Sequence, residues 1–136
     1  MSNNAPPANW FAISYDDTSW GVPVDLGTSG TVPGAHALWT SNPALAIDEE
    51  ALSRTRFILP AGTPTHCDLE LFCNDYVLQV WMNNTQIVSS PIGDYVYRSI
   101  SVPVNLLLPG AANELAIWVR NANDLVASTL FKLTVT

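Results

Sequence analysis

Three segments of the sequence place aromatic side chains next to polar ones, and each segment looks like a loop. Trp39 is followed by Thr40-Ser41-Asn42, Tyr95 follows Asp94, and polar residues cluster between positions 120 and 124. A pyranose ring presents an apolar face that stacks on a flat aromatic ring, whereas its hydroxyls require hydrogen-bond partners. These residue types predict a site for a neutral saccharide, with the following candidate ligand-binding residues: Trp39, Asn42, Asp94, Tyr95, Arg120, Asn121, Asn123 and Asp124.

No pair of residues in the sequence is well suited to catalysis. The Asp48-Glu49-Glu50 run could supply the two carboxylates that glycoside hydrolysis requires, but such a run is more typical of a solvated turn or a helix start. Asp16-Asp17 favours turn capping. His36 and His66 are single and far apart in the sequence. We therefore predict a protein that is not an enzyme.

The sequence does not predict a bound cofactor. A structural calcium stays open as an alternative, because calcium takes six to eight oxygen ligands and four acids could contribute, although their spacing resembles no calcium loop: Asp16, Asp17, Asp25 and Glu114. Cys67 and Cys73 would be about 20 Å apart in an extended strand, which is too far for a disulfide. They are therefore predicted to be two buried free thiols.

The charge balance restricts the partners. The 136 residues include 12 Asp and Glu against five Lys and Arg, which gives a formal net charge of −7. Nucleic acids and anionic membrane surfaces require clustered cations, so neither is expected as a partner. No apolar run approaches the roughly 20 residues that span a bilayer. The N-terminus does not have the form of a signal peptide, and the localisation stays open between cytoplasmic and non-classically secreted.

Alternating apolar residues, punctuated by turn signals, predict the elements that would position these side chains. Leu115, Ile117 and Val119 would face one way and Trp118 the other. Eight or nine such strands, without a long helix, predict an all-β fold, an antiparallel two-sheet β-sandwich of jelly-roll type. Residues 1–8 are predicted to be a flexible tail and residues 9–136 a single domain. The first strand is predicted at Trp10–Ser14, and Ser41–Ala51 has a short helical pattern.

Two tryptophans are predicted to lie on an outward sheet face. If Leu78 and Val80 face the core, Trp81 points outward, and the same alternation points Trp118 outward. Two outward indoles would form an apolar surface, which favours a subunit interface or a binding platform. We assign Trp81 and Trp118 to an interface and predict a homo-oligomer.

Four segments also carry a resemblance to a known family. In order along the chain they are YDDTSW, RTRFILP, NDYVLQVWMNN and LLLPGAANELAIWVRN. Together they resemble the galactose-binding-domain-like jelly rolls, which include sugar-binding domains of β-galactosidases and rhamnosidases, carbohydrate-binding modules and lectins. The resemblance covers about residues 10–136 and implies a jelly-roll fold and the binding of sugars.

The leading hypothesis is a non-enzymatic, lectin-like protein that binds a neutral saccharide in a loop-lined site. One alternative is a structural, self-assembling protein of the same fold, such as a surface or adhesive component. Another alternative is an accessory domain of a glycoside hydrolase. The sequence alone does not distinguish among them.

Overall fold

The fold is an antiparallel β-sandwich, as the alternation predicts. The computed structural model describes residues 6–28, 31–40, 48–93, 97–122 and 127–136. These residues contain one 3₁₀ helix at Val104–Leu106 and ten strands rather than eight or nine: β1 Val24–Thr28, β2 His36–Trp39, β3 Glu49–Ile58, β4 Cys67–Asn74, β5 Tyr76–Met82, β6 Thr85–Val88, β7 Ile92–Gly93, β8 Arg98–Ser101, β9 Ala112–Asn121 and β10 Ser128–Val135. No helix in these ranges has the length and apolar character needed to cross a membrane.

Each sheet has five strands. The first sheet has the order β1-β2-β10-β4-β8. The second has the order β3-β9-β5-β6, and the short β7 also pairs with β5. The short strands explain the difference in strand number, because β7 has only two residues and the sequence offers too few alternating positions to reveal it.

The main core lies between the two sheets. Four alternate residues of β4 are buried, namely Cys67, Leu69, Leu71 and Cys73. Leu115, Ile117 and Val119 of β9 belong to the same core, as predicted. Both cysteines are buried and free, which confirms the prediction of two separate thiols.

The segment predicted as the first strand is not a strand. Residues 10–14 form turns, in which the N–H of Trp10 donates to the carbonyl of Pro7 at 3.2 Å and that of Tyr15 to Ala12 at 2.8 Å. Asn9 has a φ of 57°, which bends the chain away from an extended path. The predicted turn cap is present, because the Asp16 carboxylate accepts the N–H of Thr18 at 3.0 Å.

Two other predicted elements differ from the structure. At the predicted helical segment Ser41–Ala51, residues 49–51 are instead the start of β3, while residues 41–47 lie outside the described residues. The sequence also predicts a strand over Tyr95–Val104; of its described residues, 97–104, the strand β8 includes Arg98–Ser101, and a 3₁₀ turn follows Pro103. Pro103 lacks a backbone N–H and cannot donate to a strand ladder.

A β-bulge changes which residues of β5 face the core. The pairing of β5 with β9 shifts between Val77 and Gln79. As a result Val77, Val80 and Met82 are buried, whereas Leu78, predicted to face the core, is only partly buried. Beyond the bulge the alternation resumes, and Trp81 lies on the outward face as predicted, packed in a cluster separate from the main core.

Candidate functional site

The outward face of the second sheet carries the side chains relevant to function. Directly opposed residues of antiparallel strands share a face, so the register places side chains on this face in successive rows. Leu52 opposes Trp118, Arg54 opposes Ala116, and Arg56 opposes Glu114. One row at the end of the sheet contains Glu50, Arg120, Tyr76 and Gly93 from four strands. The chain segment of residues 10–20 packs on part of this face.

The part of the face beneath residues 10–20, here called the covered half, forms a second apolar cluster. Trp10, Leu52 and Ala116 are buried in it. The ring of Phe11 stacks on that of Trp81, with centroids 3.6 Å apart and planes 5° apart. Trp81 therefore points outward as predicted, but a residue of the same chain covers its ring. The physical reason is that residues 10–14 join neither sheet and pack instead on this face.

A buried ion network holds the same segment in place. The side chains of Arg54 and Glu114 are 1% and 0% exposed and form an ion pair. The Arg54 guanidinium also pairs with Asp17 at 2.9 Å and donates to the carbonyls of Tyr15 at 3.0 Å and Ala12 at 2.7 Å. A desolvated guanidinium needs such partners because an unpaired buried charge is costly. Arg54 thus fixes residues 12–17 onto the sheet.

This network also accounts for two of the candidate calcium donors. Glu114 pairs with Arg54 and, at 2.9 Å, with Arg56, and Asp17 pairs with Arg54. Their oxygens serve guanidinium groups. In the described ranges, no group of three or more His, Cys, Asp or Glu side chains is arranged to hold a metal ion.

The end of the face next to the covered half holds a partly exposed cluster of charged and aromatic side chains, in which Trp118 also packs against the covered half. We call it the Arg120 cluster, and its members are Asp48, Glu50, Tyr76, Trp118 and Arg120. The Arg120 guanidinium donates to the Asp48 carboxylate at 2.6 and 3.2 Å. The Trp118 indole N–H donates to Glu50 at 3.1 Å. The Arg120 and Asp48 side chains remain 43% and 63% exposed, so a ligand can reach both.

Electrostatics and packing define this cluster further. The hydrogen bond with Asp48 and that carboxylate's charge raise the pKa of Arg120, so the guanidinium stays cationic. The Tyr76 ring lies against Gly93, where an added Cβ would approach Cε1 to 2.9 Å. A side chain at position 93 would therefore displace the ring. The cluster offers a fixed cation, two carboxylates and two aromatic rings in one place.

The structure separates the predicted ligand-binding residues. Arg120 belongs to the exposed cluster. The prediction that Trp39 contacts a ligand is corrected by the structure, because this side chain is 0% exposed and lies in the core. Alternate residues of β2 face inward, and the indole N–H of Trp39 donates to Glu49 at 3.3 Å. Asn121 is also 0% exposed. The remaining candidates lie outside the described residues: Asn42, Asp94, Tyr95, Asn123 and Asp124.

The strand ends beside those remaining candidates lie at one end of the sandwich. Glu49 opposes Asn121, Tyr76 opposes both Arg120 and Gly93, and Ser128 opposes Asn74. Each of the three undescribed segments that carry the candidates begins or ends within a few residues of these positions. The sequence interpretation missed Tyr76 and set aside Asp48 and Glu50. The position of Tyr76 beside Arg120 depends on the pairing of β5 with β9, which no local sequence pattern indicates.

Comparison with known proteins supports the fold. Two solved structures, both glycosyl hydrolase family 2 members from Bacteroides cellulosilyticus and one of them from strain DSM 14838, are each 20% identical to this chain. They match 97% of the chain with TM-scores of 0.60 and 0.63, and the match spans 19% of their own length. No family model and no curated protein matches the chain. The likeness shows that the chain has the fold of a small part of these enzymes.

Proposed function

We propose that the chain is a non-enzymatic carbohydrate-binding domain of the galactose-binding-like type, which binds a neutral saccharide at the Arg120 cluster. The observation that carries the proposal is the row shared by Glu50, Arg120 and Tyr76, with Trp118 in the next row. It combines aromatic surface with exposed hydrogen-bonding groups. The fold shared with part of two glycosyl hydrolases supports the same class of ligand.

The chemistry of the cluster matches the two sides of a pyranose. A ring of Tyr76 or Trp118 would contact the apolar CH face, where burial of apolar area is favourable. The Asp48 and Glu50 carboxylates would accept hydrogen bonds from sugar hydroxyls, and Arg120 would donate them. Bonds to charged groups are stronger than neutral ones. The proposed further contacts are the candidates in the neighbouring segments: Asn42, Asp94, Tyr95, Asn123 and Asp124.

The carboxylates of the cluster are assigned to binding. In a glycoside hydrolase one carboxyl group acts as an acid and the other as a nucleophile or a base. Here Asp48 accepts a hydrogen bond from the Arg120 guanidinium, and Glu50 accepts one from the Trp118 indole N–H. Both carboxylates therefore already act as hydrogen-bond acceptors within the cluster. Carboxylates held in this way are suited to accept hydrogen bonds from sugar hydroxyls.

A second candidate is an accessory domain of a larger glycoside hydrolase. The observation that favours it is the coverage, because the chain matches 97% of its own length but 19% of each glycosyl hydrolase chain. In that setting the domain would hold a polysaccharide near a catalytic domain. A homo-oligomer, our prediction from the sequence, would instead gain avidity from several weak sites.

The test is a titration of the purified chain against an array of neutral mono- and oligosaccharides, followed by calorimetry on the best ligand. Arg120→Ala should weaken binding about tenfold or more, because a hydrogen bond to a charged group is lost. Arg98→Ala is the matched control, since it removes an exposed arginine from the first sheet. Silence of the whole array, or equal loss in both variants, would contradict the proposal.

A further inference from the structure

A concave pocket of about 280 Å³ lies on the opposite side of β3 from β9. We call it the Trp20 pocket. The segment from Asp17 to Pro23 forms one wall, residues 53–55 of β3 form another, and Leu38 and Phe131 of the first sheet contribute apolar surface. Its volume is close to the lower limit of ordinary small-molecule pockets, which is about 300 Å³. The pocket therefore has room for one small ligand.

The Trp20 pocket is separate from the Arg120 cluster. Arg54 lines the pocket and Glu50 belongs to the cluster. These residues are four positions apart on β3, which corresponds to about 13 Å in a strand. The pocket also lies at the free edge of β3, whereas the cluster lies on the outward face of the sheet. A ligand in one site would not occupy the other.

The walls of the pocket are held in place without a ligand. The backbone N–H of Trp20 donates to the Asp17 carbonyl at 2.9 Å. The Trp20 ring packs against the ring of Tyr15, with 5.7 Å between their centroids. The buried Arg54 guanidinium fixes the Asp17 side chain at 2.9 Å. A preorganised wall lowers the entropic cost of binding. The pocket is therefore a built feature of the fold.

The charges around the pocket favour an uncharged ligand. Arg54 and Arg56 contribute two positive charges, and Asp17 and Glu114 balance them with two negative ones. The terminal nitrogens of Arg54 already donate to carboxylates and to the backbone carbonyls of residues 12 and 15. A phosphate or carboxylate ligand would have to displace these bonds.

The surfaces of the pocket combine one aromatic wall with polar groups. Trp20 is partly exposed, and Val22 at the rim is 88% exposed. Ser53, Thr55 and the Asp17 carboxylate supply hydrogen-bonding groups. In the described part of the chain β3 pairs only with β9, so no described strand covers its other edge. A pyranose presents the matching apolar face and hydroxyl rim.

From this combination we propose that the Trp20 pocket binds a single neutral pyranose unit, as a second site independent of the Arg120 cluster. The class of ligand rests on the proposed function, whereas the location rests on the pocket alone. The Trp20 ring stacks on the sugar, and Ser53, Thr55 and Asp17 bind its hydroxyls.

The experiment is a heteronuclear NMR titration of the full chain with D-galactose, D-glucose, D-mannose and L-rhamnose in turn. We expect at least one sugar to shift the amide signals of residues 17–22 and 53–55. Trp20→Leu retains an apolar side chain and should weaken that binding about tenfold, because the aromatic contact is lost. Thr55→Val should also weaken the binding, because it removes a hydroxyl that lines the pocket. Thr85→Val, which changes an exposed threonine elsewhere, is the control for it. Arg120→Ala should leave the shifts at the pocket unchanged.

The outcomes separate this proposal from the proposed function. Shifts confined to the Arg120 cluster would overturn the second site and leave the proposed function intact. Shifts at residues 17–22 and 53–55 that survive Trp20→Leu and Thr55→Val would also overturn it. Shifts in neither region with any of the four sugars would count against both proposals. Shifts at the pocket that Trp20→Leu weakens would support the second site whatever happens at Arg120.

Discussion

The covered half and the Arg120 cluster share one sheet face but differ in what surrounds their charges. In the covered half, Arg54 and Glu114 are almost completely removed from solvent. In the cluster, Arg120 and Asp48 form a similar guanidinium–carboxylate pair but stay 43% and 63% exposed. The chain segment of residues 10–20 makes the difference, because it packs on the first pair and not on the second.

The comparison shows that similar ion pairs can have different roles. A buried pair is strongly destabilising to break, since the remaining charge stays desolvated. An exposed pair contributes little to stability because water and salt screen it. Arg54–Glu114 is therefore assigned to holding the N-terminal segment, and Arg120–Asp48 is available to a ligand.

Removing the buried arginine should have the largest effect on stability. Among the described residues, Arg54→Ala leaves Glu114 with Arg56 as its ionic partner, and it removes the donors to the carbonyls of residues 12 and 15. We expect a loss of about 3 kcal/mol in the free energy of unfolding, measured by urea denaturation. Arg98→Ala, in an exposed position of β8, should change little. Equal stability of the two variants would contradict the distinction between buried and exposed charges.

Removing the aromatic cover should have a smaller effect. Phe11→Ala deletes the ring stacked on Trp81, and because Phe11 is only partly buried we expect a loss of about 1–2 kcal/mol. The Trp81 indole should become more exposed and more accessible to a fluorescence quencher such as acrylamide. Tyr97→Ala, an exposed aromatic residue outside the second sheet, is the control. Unchanged quenching in Phe11→Ala would show that the segment does not shield Trp81.

The core between the two sheets is a third environment, in which burial disfavours the charged form of Cys73. Burial raises the pKa of the Cys73 thiol to about 12 from 9.0, so the folded state disfavours the thiolate. The thiol's contribution to stability is complete below pH 9 and is lost as pH rises from about 9 towards 12, since the unfolded chain ionises first. Iodoacetamide at pH 8 should therefore label Cys73 slowly in the native protein and readily in urea. Rapid native labelling would mean that the core opens easily.

The sequence predicts the sandwich because alternation is a local property. The β4 and β9 patterns identify core residues correctly, and both cysteines behave as expected. The sequence also predicts a hairpin turn at Asn83-Asn84, because asparagine tolerates a positive φ, and the φ values of 47° and 69° confirm it. These features depend on neighbouring residues alone.

The remaining features depend on contacts between distant residues. The polar residues after Trp39 are typical of a loop, but its burial is decided by its position on the inward face of β2. The bulge in β5 cannot be read from its residues, because Val77 and Leu78 are both apolar. The run Trp10–Ile13 is apolar like a buried strand, yet no strand in the described part of the chain pairs with it. The Arg120 cluster needs three strands in register, which one sequence does not reveal.

The assignment of the carbohydrate site is tested most directly by a crystal structure of the chain soaked with the best saccharide from the array. We expect sugar density at the Arg120 cluster, with a ring face against Tyr76 or Trp118 and hydroxyls within hydrogen-bond distance of Arg120, Asp48 or Glu50. A sugar bound in the crystal and in solution at another surface, with the Arg120 cluster empty, would contradict the assignment of this cluster as the carbohydrate site.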